Sequence, residues 1–446
     1  MTQEKTPFPS LAFDEIQSGV FRPRPSPYAA TYIFLRIDDR KAGRELMRRA
    51  AGVVNSSADL ASKTEDAWVS VALTFEGLKA LGVPQESLDS FPPEFQRGMA
   101  ARAEVLHDTG ESAPENWEKP FGTSGIHVII AAVAPGKERL EAILVRGRKT
   151  YEEMPGIKAI WRQDCYALET DKEHFGYKDG IGQPSIEGTG IPGNNPNELP
   201  LKAGEFVLGY PDEMGNNQFP QPEVLGKNGS FMVVRKLQQR VADFRRFLKS
   251  KAVSIEEEEL LAAKMMGRWR SGAPLSHCPM HDDPSIAADP KLRNDFMYNE
   301  DDPRGLKTPI ESHIRRMNPR DADVIGIPRL HRMIRRGTVY GPSLPEGVLE
   351  DDGVERGFMF AFVGAHIDRQ FEFVQAEWMN SGEFAGRGEA KDPIAGNNDG
   401  TETFTIPQRP IRRSLAGIPK FVVTRGGEYA FMPGLKALLW IADLDN

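Results

Sequence analysis

Apolar and polar residues alternate along the first half of the chain in two distinct periods. Tyr32 to Ile37, apolar except for Arg36, is a strand candidate, and Lys41 to Ala51 follows as a helix. Trp68 to Leu73 alternates at period two, and Thr74 is placed to cap a short helix through Leu81. Ile126 to Val133 reads as a buried strand. Gly136 to Lys149 reads as a helix with Leu140, Ile143 and Leu144 on one face, and Ile157 to Leu168 as a closing strand. Two strand–helix–strand units predict a ferredoxin-like α+β domain. A doubly wound sheet is the competing arrangement, but no glycine-rich nucleotide turn follows the first strand.

Residues 186 to 204 (IEGTGIPGNNPNELPLKAG) break the periodicity with glycine, proline and asparagine. A domain boundary is expected here, dividing the chain into 1–195 and 196–446. Phe231 to Arg235 is then a strand, and Lys236 to Lys249 an amphipathic helix with Val241, Phe244 and Leu248 inward. Ser254 to Glu257 is a capping box that opens a helix to Trp269. Residues 271 to about 307 are polar and irregular. Gly357 to Gly364 is a strand, Ile367 to Trp378 a helix, Phe421 to Thr424 and Tyr429 to Phe431 two short strands, and a last helix runs through Trp440.

Composition narrows the class. A chain of 446 residues has room for two sizeable cores. Its formal net charge of -8 argues against non-specific nucleic-acid binding, which needs a basic footprint. Two cysteines, Cys165 and Cys278, make no disulfide framework. No apolar run reaches the length of a membrane span, and the opening MTQEKTPFPSLAFDEIQ has no leader pattern. The expectation is a cytoplasmic protein without a membrane partner.

Three segments carry candidate chemistry. In Thr308 to Arg316 (TPIESHIRR), Thr308 and Glu311 form a capping box with Pro309 at the first helical position, which places His313 on a short, firmly started helix. An axial metal ligand needs such a setting, although a lone histidine is ordinarily a surface or core residue. In Phe175 to Pro184 (FGYKDGIGQP), glycines bracket Asp179; a turn aspartate is the ordinary reading, and a carboxylate held close to a flat cofactor the functional one. The third segment is Ile334 to Pro342 (IRRGTVYGP), whose paired arginines would by default be solvated. His277, Cys278 and His281 have metal-like spacing but lack a fourth ligand.

Together these segments resemble the dye-decolorizing peroxidases. Gly176 to Gly180 matches the family's GxxDG motif, His313-Ile314-Arg315-Arg316 its proximal histidine segment, and Arg335 in RRGTVYGP its distal arginine. Asp14 to Gly19, Phe95 to Asp108 with Pro114 to Trp117, Gly204 to Gly215, Phe360 to Asn380 and Phe431 to Leu439 are also similar to family segments, in the family's order. The length and the RRGTVYGP form look most like the longer members. Shorter bacterial members carry an asparagine two residues after the distal arginine, where this chain has Gly337.

The resemblance implies two ferredoxin-like domains of the dimeric α+β barrel type, with antiparallel sheets and one haem b held mainly by the second. His313 would ligate the iron, and Asp179 and Arg335 would be the distal catalytic pair. Gly180, Ile181, Arg335, Phe360 and Phe362 would line the cofactor, although Phe358, Phe360 and Phe362 alternate on one strand and could equally fill the core. It implies hydrogen peroxide as oxidant, and dyes, phenols and other one-electron donors as reductants of a ferryl haem, with activity favoured at acidic pH. Asp392 in KDPI would take the outer nitrogen of His313 or serve only as a turn residue before proline. Trp378 and Tyr340 would relay electrons from large donors or simply pack. Other readings are a haem carrier or iron-release protein without turnover, a chlorite-splitting enzyme of related fold, and a plain structural protein. A homo-oligomer is left open, and the C-terminal residues Ala442 to Asn446 show no targeting tail.

Overall fold

In a computed structural model the structure describes residues 10–59, 66–149, 151–195, 198–386 and 390–444. The start of the opening stretch read for a leader, and Asp445 and Asn446, lie outside these residues.

The first half contributes strands β1 (Ala29–Ile37), β2 (Trp68–Leu73), β3 (Val128–Ala134) and β4 (Ile157–Tyr166). β1 lies between β3 and β4, pairing antiparallel with both, so Ile33 meets Ile130 on one side and Arg162 on the other. A strand paired on both sides and covered on both faces reads as a near-continuous apolar run, as β1 does apart from Thr31 and Arg36. Its connecting helices, Arg40–Ala51 and Lys137–Arg148, fall where the periodicity placed them. Asp39 caps the first by accepting from Ala42 N at 2.8 Å, and Thr74 caps Phe75–Leu81 by accepting from Gly77 N at 2.9 Å.

The second half repeats the plan with β5 (Ser230–Gln239), β6 (Ile334–Arg335), β7 (Thr338–Tyr340), β8 (Gly357–Gly364) and, after a small hairpin of β9 (Thr403–Ile406) and β10 (Arg413–Ala416), β11 (Val422–Met432). The strand order is β4-β1-β3-β2-β11-β5-β8-β6, with β7 also on β8, so each half has the order of a ferredoxin-like sheet. The two meet where Phe431 of β11 pairs with Leu73 of β2, making one nine-stranded sheet. The boundary expected at residue 195 falls in the long connection between β4 and β5.

Four local expectations are corrected. β5 does not stop at Arg235: it runs to Gln239, and the helix begins only at Val241. Lys236 therefore belongs to the strand and not to the helix. In the strand its ammonium lies 2.5 Å from Glu118 and 3.0 Å from Glu355, so its charge is matched. The two short C-terminal strands are one, with a bulge between Thr424 and Gly426. Gly426 and Gly427, between the two expected strands, let neighbours in: a Cβ would stand 2.3 Å from the Phe121 ring and 2.1 Å from Met99 Sδ, respectively. Ile367–Glu372 and Val374–Met379 wind as π-helical turns rather than as one α-helix. Finally, the helix carrying His313 spans only His313–Met317, with Ser312 as N-cap. The Thr308–Glu311 box does not form, because Glu311 accepts instead from Thr405 N of β9 at 2.8 Å.

Behind the sheet, a second core gathers Phe244, Leu248, Leu261, Phe404, Leu415 and Phe421. Phe175 and Tyr177 belong to it, so the loop that carries Asp179 is rooted in packed side chains.

Candidate active site

β5, β8 and β11 present one face to a cavity of about 310 Å³, a size at the low end for ligand sites. Asp179, Gly180, Ile181 and Arg335 line it from the loop after β4 and from β6; His313, Ile314 and Met317 line it from the short helix. The three segments singled out in the sequence therefore meet around one space.

His313 is held from behind. Its Nδ1 donates to Asp392 Oδ2 at 2.8 Å, and Asp392 is fully buried. The other Asp392 oxygen accepts from Ile394 N at 2.8 Å and Ala395 N at 2.9 Å. Both roles weighed for Asp392 are thus filled, one by each oxygen. Burial works against the Asp392 charge, yet the nearby imidazole and these N–H groups outweigh it and hold its pKa below the usual carboxylate value. With Nδ1 taken, Nε2 is the nitrogen left without a protein partner among the described residues.

On the other side, Gly176 and Gly180 adopt positive φ (92° and 82°), which lets the GxxDG loop turn sharply. Asp179 is partly exposed and stands 3.6 Å from Arg24 Nη2. Arg24 also donates to the Gly337 carbonyl and lies 4.2 Å over the Tyr28 ring. Gln183, in the IGQP that follows the motif, fixes the backbone of Arg335 twice: its Nε2 donates to Arg335 O at 3.0 Å and its Oε1 accepts from Arg335 N at 3.2 Å. Asn294 Nδ2 donates to Ile181 O at 2.6 Å. Arg24, Gln183 and Asn294 escaped the sequence reading. The contacts that bring them to the site, Arg24 with Asp179 and Gly337, Gln183 with Arg335 and Asn294 with Ile181, join residues more than 110 positions apart, and no spacing signals such a pair.

Phe360 lines the cavity and Phe358 does too, but Phe362 does not. Two residues further along β8 its ring is fully buried beside Phe371, which is the core alternative weighed for it. Gly337 has no room for the asparagine of shorter relatives, since a Cβ there would come 2.1 Å from the Phe358 ring. Trp378 is fully buried, with its indole N–H donating to Ile325 O at 2.8 Å. Tyr340 is buried as well, 4.9 Å from the Lys236 ammonium, and burial raises its phenol pKa far above normal. Neither aromatic reaches the surface. His277 packs edge-on against Phe296, and no group of three metal-binding side chains occurs among the described residues.

The cavity also holds cations suited to acidic groups. Arg332 lines it, paired with Glu198, and burial and the neighbouring Arg335 charge press against its charged form. Arg320 lines it too, donating to the Asn294 and Phe296 carbonyls at 2.9 and 2.7 Å. A histidine braced by a carboxylate, apolar walls from Phe358, Phe360 and Met317, and several guanidinium groups fit a flat apolar cofactor that carries carboxylates.

The fold and this site define the class, a peroxidase of the α+β barrel type, and comparisons with known proteins agree. Residues 15–154 match the DyP dimeric alpha+beta barrel domain. The chain is 31% identical to the dye-decolorizing peroxidase msp1 of Mycetinis scorodonius over 83% of this chain and 75% of that protein. It is 30% identical to a dye-decolorizing peroxidase of Exidia glandulosa over 98% of this chain and 88% of the relative. The solved structure of an ancestral D-type dye decolorizing peroxidase superposes with a TM-score of 0.83 at 29% identity, covering 96% of this chain and 98% of that one. The chain belongs to the dye-decolorizing peroxidase family and is an oxidoreductase acting on peroxide.

Proposed function

We propose that this chain binds one haem b in the cavity, through His313 Nε2, and oxidises phenols, dyes and other one-electron donors with hydrogen peroxide. The observation that carries the reading is that His313, braced by Asp392, lines the same cavity as Asp179 and Arg335. Haem held there supplies the redox chemistry by which peroxide is reduced and donors are oxidised. Asp392 keeps the imidazole in one tautomer and orientation and enriches it in electron density. Asp179 accepts a proton from one oxygen of peroxide and returns it to the other, which is general acid–base catalysis. Arg335 stabilises the negative charge that develops on the departing oxygen. Gln183 holds the Arg335 backbone in place for that task. Arg320 and Arg332 are placed to meet the cofactor's carboxylates.

A cytoplasmic location is part of the proposal: Cys165 and Cys278 are both buried and unpaired, which suits a reducing compartment, and cell fractionation would check it. The deciding experiment is the visible spectrum of protein supplied with haem, before and after one equivalent of peroxide, for wild type and His313→Ala. A Soret band that responds to peroxide and is lost or weak in the variant is the expected result. A Soret band indifferent to peroxide would leave a haem carrier, and no haem would overturn the reading.

A further inference from the structure

Among the described residues the Asp179 carboxylate has a charged contact with Arg24 at 3.6 Å, longer than a hydrogen bond, with both side chains partly exposed. Its position must come from the backbone that leads into it. That backbone turns at Gly176, where the chain takes φ of 92° and a Cβ would come within 2.7 Å of the Arg270 guanidinium. Such a turn points amide N–H groups inward and needs an acceptor for them.

Glu173 supplies it. Its Oε2 accepts from Phe175 N at 2.9 Å and its Oε1 from Tyr177 N at 2.9 Å. Glu173 N donates in turn to Tyr177 O at 2.9 Å, and Gly176 N to Glu173 O at 2.8 Å, which closes the loop on itself. The carboxylate is also tied to the cavity wall, because Gln239 Nε2, at the end of β5, donates to Oε2 at 2.6 Å. Further anchors act on the same residues: the Tyr177 hydroxyl donates to Ala262 O at 2.8 Å, and Phe175 packs 4.8 Å from Phe244. Only Lys178 separates Tyr177 from Asp179. Enclosure pushes the Glu173 pKa up, and the Asp179 charge adds to that push, so the two carboxylates sense one another.

We propose that Glu173 is a positioning residue for the peroxide reaction: by binding the Phe175 and Tyr177 N–H groups and the Gln239 amide, it sets where Asp179 stands over the cavity. This rests on the assignment of proton transfer to Asp179. Glutamine at position 173 has nearly the same shape but turns one acceptor into a donor, which faces N–H groups that are donors themselves.

The test uses haem-loaded wild type, Glu173→Gln, Asp179→Asn and the double variant. It reads kcat/KM for peroxide, Soret absorbance per chain, and amide hydrogen exchange of the 173–183 segment. E173Q is expected to keep its haem, to exchange the Phe175 and Tyr177 amides at least about tenfold faster, and to lose about tenfold or more in kcat/KM. In the D179N background the same substitution should cost less than about twofold, because its effect runs through the group already removed. An equal loss in both backgrounds, a wild-type rate in E173Q, or unchanged exchange would overturn the proposal. Should E173Q fail to hold haem, Gln239→Met tests the anchor on β5, with a smaller loss that must also vanish in the D179N background. If D179N itself reacts at the wild-type rate, the site reading falls and this inference with it; a slow D179N beside a normal E173Q sinks the inference alone.

Discussion

Replacing Asp392 by asparagine tests the brace behind His313 while leaving shape almost unchanged. Oδ1 of Asp392 accepts two backbone N–H groups, from Ile394 and Ala395. An asparagine must keep its oxygen on that side, so its NH2 group faces His313 Nδ1. Two donors then oppose one another, unless the imidazole moves its proton to Nε2 and loses that nitrogen as a ligand. The lost interaction is a charge-assisted hydrogen bond of 2.8 Å to a fully buried carboxylate. Bonds of this kind contribute about 1.5–3 kcal/mol, and at about 1.4 kcal/mol per factor of ten this is roughly a 10- to 100-fold loss of haem affinity. The assay is the rate of haem transfer from each holoprotein to an excess of an apo-globin acceptor, with the iron(III)/iron(II) midpoint potential measured alongside. Asp392→Asn should release haem roughly 10- to 100-fold faster, and its midpoint should rise because the ligand is a poorer electron donor. Equal release rates and equal potentials would refute the reasoning and leave Asp392 as a turn residue.

Other outcomes follow from the same geometry. Asp179→Asn should retain the Soret band and lose about 10²–10⁴-fold in kcat/KM for peroxide, measured by stopped flow; a loss under threefold would remove Asp179 from proton transfer. Gly337→Asn should not supply distal amide help: its Cβ would collide with Phe358, so a thermal melt should show about 1–3 kcal/mol of destabilisation without a faster peroxide reaction. His174 is buried with Nε2 at 2.8 Å from Tyr340 O, and burial lowers its pKa from 6.5 to about 4. Above pH 6.5 it is neutral in both folded and unfolded chains. As pH falls from 6.5 towards 4 the unfolded chain takes a proton that the folded one refuses, so stability drops by up to about 3 kcal/mol. Urea midpoints from pH 7.5 to 4.5 should show this slope in wild type and a flatter one in His174→Gln; parallel slopes would contradict the assignment.

The parts of the fold that were legible in the sequence are those where one local rule acts alone. β1 shows its burial on both faces as a largely apolar run, and Thr74 caps its helix with a bond to a residue three positions on. Where a distant partner outbids the local rule, the reading fails. Lys236 looks like a helix surface until Glu118 and Glu355 are beside it, and Glu311 looks like a capping residue until Thr405 presents its N–H. The space that Gly426 and Gly427 leave in β11 is used by Phe121 and Met99, which come from the other half.

The site divides in the same way. Asp179, Arg335 and His313 stand in short motifs, so the chemistry could be read from them. Of the residues that hold them, Asp392, 79 positions from His313, is offered by the resemblance with a turn role as its alternative, whereas Gln183, 152 positions from Arg335, and Gln239, 66 from Glu173, join segments too far apart for any local pattern to pair them. Asp179 and Gln183 share the loop after β4, whereas Arg335 and Gln239 belong to the second half, so the pair proposed for peroxide exists only once that loop lies against β5 and β6. A carrier needs the His313 side alone, which one half provides. Gln239–Glu173 and the Gln183–Arg335 pair fasten the distal loop to the second half by three hydrogen bonds, and Glu173 closes the loop on itself by two more; a carrier could do without all of them, and that is the structural argument for turnover.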